Sequence, residues 1–539
     1  MTRKKVRFES WKFPDRADGA REIVESMLKM GSPIVEQGGV MSRLKYDELG
    51  IRAQPMSKDN LLSEIHLTVD YLIQKWEKAV DHEGKTMLDS EQKPIKRLYV
   101  EVGDVHRHLI NTIFGMPWPE NKLWKLRGVM THPIINKSGG YAVRNGLYWE
   151  DQMVNGVKTK IPKIHLADGY DPVSQYFFAV PDRVREGLAG IEDQRPATAE
   201  IVDALDCIDE FLCDFSFATP SAKASAIAFM LTMVCREIIE GSVPMLEVRA
   251  PESQSGKSLL VKMMIEAVTG ERPSLFSPNF RDVSEFEKEL LSQLLRGRNY
   301  VFMDNVYGKV QSSYLDMALT AGHVDKRLLG MNIIATVYSG MPFVMTANNP
   351  TLSEDMKNRI YLLDILKPKE SKKFFHTKPE AYALENGPRL LRALFTLYNH
   401  WDKNEGRMPF TKRRIDGFIE WSVIIGGILQ AVNIEGFLDD TMKQIKEIDP
   451  KLEQAADMAR PWFEKHGSAW LLVKDAVEFA VTAGYVKEDD KTQTKTQTTA
   501  SALRKLRMVK LPGGYRFEKD DDFNRGSLWR VVKDAGSVS

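Results

Sequence analysis

PMLEVRAPESQSGKSLLVKMMIEAVTG, residues 244–270, is the stretch on which the fold turns. Its first part, PMLEVRA (244–250), reads as a short buried strand, and its last, SLLVKMMIEAVTG (258–270), as a helix. Between them PESQSGKS (251–258) follows the phosphate-loop pattern G-x-x-x-x-G-K-[ST], with Pro251 in the place of the first glycine. A tight turn from strand into helix aims backbone N–H groups and the positive end of the helix dipole at one point, where phosphate oxygens bind. On this reading Glu252, Ser253, Gln254 and Ser255 form the cradle and Gly256 lets the backbone come close. Lys257 neutralises the β and γ phosphates of ATP, and Ser258 offers a hydroxyl to Mg²⁺. The alternative, an ordinary surface turn, is disfavoured by the strand–loop–helix context.

Downstream, NYVFMDNV (299–306) runs the apolar Val301, Phe302 and Met303 into Asp304, as a buried parallel strand ending in a carboxylate should. Asp304 is expected to complete the Mg²⁺ shell. Asn305 follows it, and an amide is no general base. Either another carboxylate orients the attacking water or hydrolysis is slow. Glu285, in DVSEFEKELLSQLLRG (282–297), is the candidate carboxylate, against a solvated helix face. A third strand, MPFVMTANNP (341–350), ends at Asn348 and Asn349, which either sense the γ-phosphate or make a plain Asn-Asn-Pro turn. Arg359, in SEDMKNRIYLLDI (353–365), and Arg327, in HVDKRLLG (323–330), compete for the role of an arginine reaching a neighbouring subunit's nucleotide. Each reads equally well as a surface charge, and a finger supplied in trans requires an oligomer.

From residue 244 to about 366 strands and helices alternate, which implies an α/β fold with a mainly parallel sheet covered by helices. Around this 241–366 core the sequence divides into a charged arm (1–35) with one amphipathic helix, AREIVESMLKM, an α+β domain (36–185), a helical linker (186–240), a helical segment (367–465) and a C-terminal domain (466–539). Apolar spacing predicts helices over LLSEIHLTVDYLIQKW (61–76) and VGDVHRHLINTIF (102–114). The C-terminal domain has a helix–helix–strand–turn–strand order like that of a winged helix. Lys491, Lys495, Arg504, Lys505, Arg507 and Lys510 gather on its second helix and approaches. They form either a DNA-facing patch or a basic solvated face, and the acidic run Glu518–Asp522 breaks any uniformly basic surface. The run KTQTKTQTT (491–499) is a mobile loop or a helix start.

Composition narrows the partners. The 539 residues are 43% hydrophobic and 28% charged with a net charge of +1, so any nucleic-acid contact must come from a local patch. Cys207, Cys213 and Cys235 form neither a zinc spacing nor a disulfide framework, which fits a reducing cytoplasm. His66, His106 and His108 have no cysteine or carboxylate at ligand spacing. The basic N-terminus lacks the apolar stretch of a signal peptide, and the longest apolar run, AIAFMLTMV (226–234), is too short to span a bilayer, so no membrane partner is expected.

Several segments, in order, resemble the AAA+/superfamily 3-like replicative helicases of bacteriophages, phage satellites, plasmids and integrative elements. They are GYDPVSQYFF (169–178), the linker-to-loop stretch 214–260, VFMDNVYGKVQSSYLDMALT (301–320), DKRLLG (325–330) and TANNPTLSEDMKNR (346–359). In that group the first loop position is commonly Pro and the residue after the strand-ending Asp commonly Asn. A Glu and a Lys recur where Glu285 and Lys288 stand, while Gln254 departs from the usual Gly. The resemblance implies an AAA+ (ASCE) P-loop core, a hexameric ring, and ATP-driven work on single-stranded or forked DNA in a bacterial host's cytoplasm. A separate primase or polymerase would do any priming. It also implies a DNA-gripping hairpin near Lys326 and Arg327, although Arg327 cannot be both grip and finger. Two rivals stand beside the helicase: an ATP-gated initiator that binds origin duplex through the C-terminal domain, and a loader that remodels without unwinding.

Overall fold

The computed structural model describes residues 6–9, 16–29, 33–47, 50–79, 85–88, 90–94, 96–102, 105, 107–115, 123–135, 141–142, 148–154, 157–163, 169–171, 174–189, 191 and 194–252. Further on it describes 254–327, 334–348, 350–367, 375–376, 378–403, 410, 412–446, 450–509, 511–520 and 527–533. The chain divides into two units, Met1–Met442 and Lys443–Ser539.

The first unit is built around a mostly parallel sheet. In chain order its elements are α1 (Thr198–Leu212), β1 (Ser216–Phe217), α2 (Pro220–Cys235), β2 (Met245–Arg249), α3 (Lys257–Thr269) and α4 (Val283–Leu295). Then come β3 (Val301–Val306), α5 (Ser313–Ala321), β4 (His323–Arg327), β5 (Ile334–Tyr338), β6 (Phe343–Ala347), β7 (Ile360–Leu366), α6 (Pro379–Asp402) and α7 (Ile419–Ala431). The sheet order is β1-β7-β2-β6-β3, with only β1 antiparallel. A single parallel bridge from Phe276 to Met303 extends the β3 edge. The α/β class expected from the alternating pattern is the class observed.

Burial explains the layers. On one face Leu246 and Val248 of β2 join Leu260, Met264 and Val268 of α3 and the apolar residues of α2 in one core. All of α2 but Pro220 and Lys223 is buried, as an all-round apolar helix must be. Thr219 caps it by accepting the Ala222 N–H at 3.1 Å. On the other face Met245, Met303 and Met345 pack with α4 and α5. Among the described residues no helix is long and apolar enough to cross a membrane. Helices α3 and α6 touch backbone to backbone: a Cβ on Gly387 would lie 2.4 Å from the Ala267 carbonyl oxygen.

Upstream, the strands Ile34–Gln37, Val40–Asp47, Gly50–Pro55 and Trp124–Lys125 form a four-stranded sheet, with Val35 opposite Trp124 and Glu36 opposite Lys125. Gly169–Tyr170, Tyr176–Phe178 and Gly128–Met130 form a second, three-stranded sheet. Two expectations shift here. The predicted 61–76 helix starts earlier and ends at Thr68, running Lys58–Thr68, and Val69–Lys78 is a strand, because the β-branched Thr68–Val69 pair and the alternating Val69, Tyr71 and Ile73 favour extended backbone. The second predicted helix begins later, at Arg107. The amphipathic helix expected in residues 1–35 is found as Arg16–Lys29, with Ala20, Ile23, Val24 and Met27 forming an i, i+3, i+4, i+7 stripe in a core with Leu61, Ile65 and Ile113.

The second unit holds α8 (Pro450–His466), β8 (Leu471–Leu472), α9 (Val477–Thr482), α10 (Thr492–Leu506), β9 (Tyr515–Asp520) and β10 (Leu528–Lys533). Its three strands pair in the order β8-β10-β9. Helix α8 was expected in the preceding helical segment, but Ala455, Ala459 and Trp462 pack against Phe479, Leu503, Phe517 and Trp529, which moves the boundary upstream of 466. KTQTKTQTT forms the first turns of α10, with Lys491 at the N-cap.

Candidate functional site

The loop 251–256 leaves the C-terminal end of β2 and feeds α3. Gly256 sits at φ +93° as the N-cap of α3, a conformation that glycine adopts freely, and no side chain caps the helix. The first-turn N–H groups of α3 are therefore not taken up by a cap. Gln254 holds φ +58°, in the left-handed region where the resembling group carries glycine. Ser255 is buried and its Oγ has no hydrogen-bond partner among the described residues. Glu252 is exposed and pairs with Lys367 at 3.0 Å. Ser253 lies outside the described residues.

Lys257 is 8% exposed and carries no ion pair among the described residues. Burial holds its ammonium below the usual lysine range, with the Asp304 charge acting the other way. The Ser258 hydroxyl donates to Asp304 Oδ1 at 2.6 Å across the gap between α3 and β3. Thr346 of β6, the strand between β2 and β3, donates its hydroxyl to the same Oδ1 at 2.5 Å. The Thr346 Oγ1 in turn accepts the Asn305 N–H at 2.8 Å. In the sequence Thr346 is marked only as the one polar residue in the otherwise apolar run FVMTA (343–347).

Asn305 occupies a bulge: the β3–β6 register shifts between Met303 and Val306, and Asn305 lies at φ +58°. Asparagine is among the few side chains that tolerate that region, so the backbone itself selects an amide there. Its Oδ1 accepts from the Asn348 amide at 3.0 Å. Asn349 lies outside the described residues. Lys257, Ser258, Asp304, Thr346, Asn305 and Asn348 are thus brought together by the ends of three parallel strands.

Other predicted residues stand apart from this group. Glu285 is exposed in the first turn of α4, pairs with Lys288 at 3.1 Å, and makes no hydrogen bond to Asp304, Asn305 or Asn348 among the described residues. Arg359 pairs with Asp316 at 3.4 Å. Arg327 is exposed on the β4–β5 hairpin, while its neighbour Lys326 is ion-paired with Glu287 and lies 4.7 Å from the Tyr314 ring centroid. In the second unit Lys491, Arg504, Lys505 and Arg507 are exposed on or beside α10, and Lys495 bonds the Glu488 carbonyl. Lys510 lies outside the described residues.

Two further groupings escaped the sequence. Cys213, Asp214 and His376 lie within ligand distance of one another. Asp214 is already committed: one oxygen accepts the Phe375 N–H at 2.6 Å and the other the His376 ring Nδ1–H at 2.7 Å, a clasp between distant chain segments. A cavity of about 760 Å³ lined by Glu200, Asp203, Cys207, Arg389 and Arg392 shares no residue with the Ser258–Asp304 group.

No family model matches the chain, and no curated protein does. Among solved structures the chain is similar to the A-form apo structure of the NrS-1 C-terminal region, at 10% identity and a TM-score of 0.39, over 81% of this chain and 92% of that one. It is also similar to the A-form apo structure of the same region described as 305–718, at 11% identity and a TM-score of 0.36, over 95% of this chain and 99% of that one.

Proposed function

We propose that the protein is an ATP-dependent DNA helicase, a ring-forming AAA+ motor that replicates a phage or other mobile element. The observation that carries this reading is the hydroxyl–carboxylate contact of Ser258 with Asp304 at 2.6 Å, beside the buried Lys257 at a helix N-terminus that no side chain caps. A strand interposed between the loop strand and the carboxylate strand supports an ASCE-type core.

ATP is the substrate on this reading. Its β and γ phosphates meet the first-turn N–H groups of α3 and the Lys257 ammonium. The Ser258 hydroxyl and Asp304 carboxylate are hard oxygen donors of the kind Mg²⁺ takes, so they would hold the ion. When bound, Mg²⁺ neutralises charge on the phosphate oxygens. Thr346 holds Asp304 in place, and Asn348 and Asn305 present amides where an attacking water would stand. Arg359 or Arg327 from a neighbour would complete the site in a ring, and Arg359 would have to leave Asp316 to do so. The helix α10 and its basic residues, in a winged-helix arrangement of three helices and three strands, would contact duplex DNA.

The test is ATP hydrolysis with and without single-stranded DNA, wild type against Lys257→Ala. DNA-stimulated turnover that the substitution abolishes is expected. ATP binding without turnover in the wild type would sink the helicase and leave the second reading, an ATP-gated initiator, in front. The Asn305–Asn348 amide pair, which contributes no base, is what favours that second reading.

A further inference from the structure

We propose that Trp124 and Tyr170 form a stacking platform for the bases of single-stranded DNA, set at the foot of the β4–β5 hairpin. The strand's identity as DNA rests on the motor reading above. The platform itself rests on geometry.

The two rings are parallel, with centroids 5.1 Å apart and planes within 2°. The Tyr170 hydroxyl donates to the Lys125 carbonyl at 2.7 Å, which pins the phenol against the strand that carries Trp124. Tyr170 covers one face of the indole, yet Trp124 stays 40% exposed. The pair is therefore rigid before any ligand arrives, and little side-chain entropy is lost when a third ring joins it.

The charge around it suits a phosphate backbone. Lys125, the next residue, is exposed and has no ion pair among the described residues. The two carboxylates that act on Tyr170, Asp171 and Glu36, are both buried. Asp171 is held by Ser174, through its N–H at 3.0 Å and its hydroxyl at 2.6 Å, and Glu36 accepts the Gly39 N–H. An exposed indole stacked on a half-buried phenol, beside a lysine with no ion pair among the described residues, offers a base a π-face and its phosphate a cation. A duplex hides its base faces, so it cannot use the first of these.

The platform also adjoins the β4–β5 hairpin. The strand Ile34–Gln37, paired with Trp124–Lys125, turns through Gly38 and Gly39 directly onto β5. There the Thr336 N–H donates to the Gly38 carbonyl at 3.0 Å, and a Cβ on Gly38 would sit 2.5 Å from the Thr336 oxygen. Burial, and then the Arg127 and Lys125 charges, keep the imidazole of His323, at the start of β4, below the usual range. His323, Asp325, Arg327 and Ile334 are exposed on the same hairpin. The platform gives a task to the Gly169–Tyr170–Asp171 part of the GYDPVSQYFF segment, which the nucleotide site leaves unused.

The experiment is fluorescence anisotropy of a labelled oligothymidylate with the full chain, alongside a labelled duplex of the same length. Trp124→Ala should weaken single-strand binding by roughly tenfold, and Trp124→Phe, which keeps a ring, should restore most of it. Lys125→Gln should weaken binding and flatten its salt dependence. Duplex affinity and DNA-independent ATP hydrolysis should not move. Wild-type single-strand affinity in Trp124→Ala, equal losses on both DNAs, or no single-strand binding by the wild type would each overturn the proposal. A chain that binds oligothymidylate through Trp124 but never hydrolyses ATP would refute the motor and leave the platform standing.

Discussion

The Thr346 hydroxyl donates to Asp304 and accepts from Asn305, so one side chain ties the carboxylate to the bulge that follows it. Thr346→Val keeps the shape and removes both bonds. It should leave the Asn305 N–H without an acceptor, costing about 1–3 kcal/mol of stability. It should also lower ATP turnover far more than it raises the ATP concentration needed for half-maximal rate, while Thr346→Ser keeps both near wild type. Steady-state kinetics beside a thermal melt read the two effects. A valine variant with full turnover would show that Asp304 needs no support from β6.

Asn305 tests the backbone argument independently of catalysis. At φ +58° Asn305→Asp and Asn305→Gly should fold with little loss, whereas Asn305→Val places a β-branched residue in the left-handed region and drops the Asn348 bond. A cost of about 2 kcal/mol or more is expected for valine by denaturant unfolding. Aspartate also adds a carboxylate at the bulge. Faster ATP turnover in Asn305→Asp would mean that a missing base limits the wild type.

Glu247 lies in the middle of β2, fully buried, with neither oxygen hydrogen-bonded among the described residues. Burial raises its carboxyl from 4.5 to about 7, with Arg249 opposing and Asp364 reinforcing the shift. A carboxyl with a raised folded pKa binds its proton more tightly in the folded state. Its contribution is most favourable below pH 4.5 and is lost as pH climbs to about 7. Glu247→Gln should therefore melt close to wild type at pH 5 and several degrees above it at pH 8. A difference that does not change with pH would mean that Glu247 is ionised throughout.

Arg127 joins the upstream sheets to the hairpin. Its guanidinium pairs with Glu237 at 2.7 Å and lies 3.9 Å from the Tyr338 ring centroid and 5.1 Å from that of Tyr176. Arg127→Ala should destabilise the first unit by about 2–3 kcal/mol, since Glu237 stays half-buried and loses its cation. Unfolding of the second unit should be unchanged, which separate transitions in a denaturant series would show.

What the sequence revealed and what it hid follow one physical line. Val301–Met303 and Met245–Val248 were legible because strands buried on both faces are continuous apolar runs. Gly256, Lys257 and Ser258 were legible because their chemistry depends on local spacing. Thr346 was not, since its partner is chosen by strand order, and strand order is a matter of non-local pairing. The Trp124–Tyr170 stack and the Asp214–His376 clasp are hidden for the same reason. The 61–76 stretch failed differently: its apolar residues fit both periods, and β-branching at Thr68 and Val69 decided the outcome.

The missing Cβ of Gly387 has a mechanical meaning. With only 2.4 Å from that position to the Ala267 oxygen, any residue larger than glycine would wedge α6 away from α3, the helix that begins at Lys257.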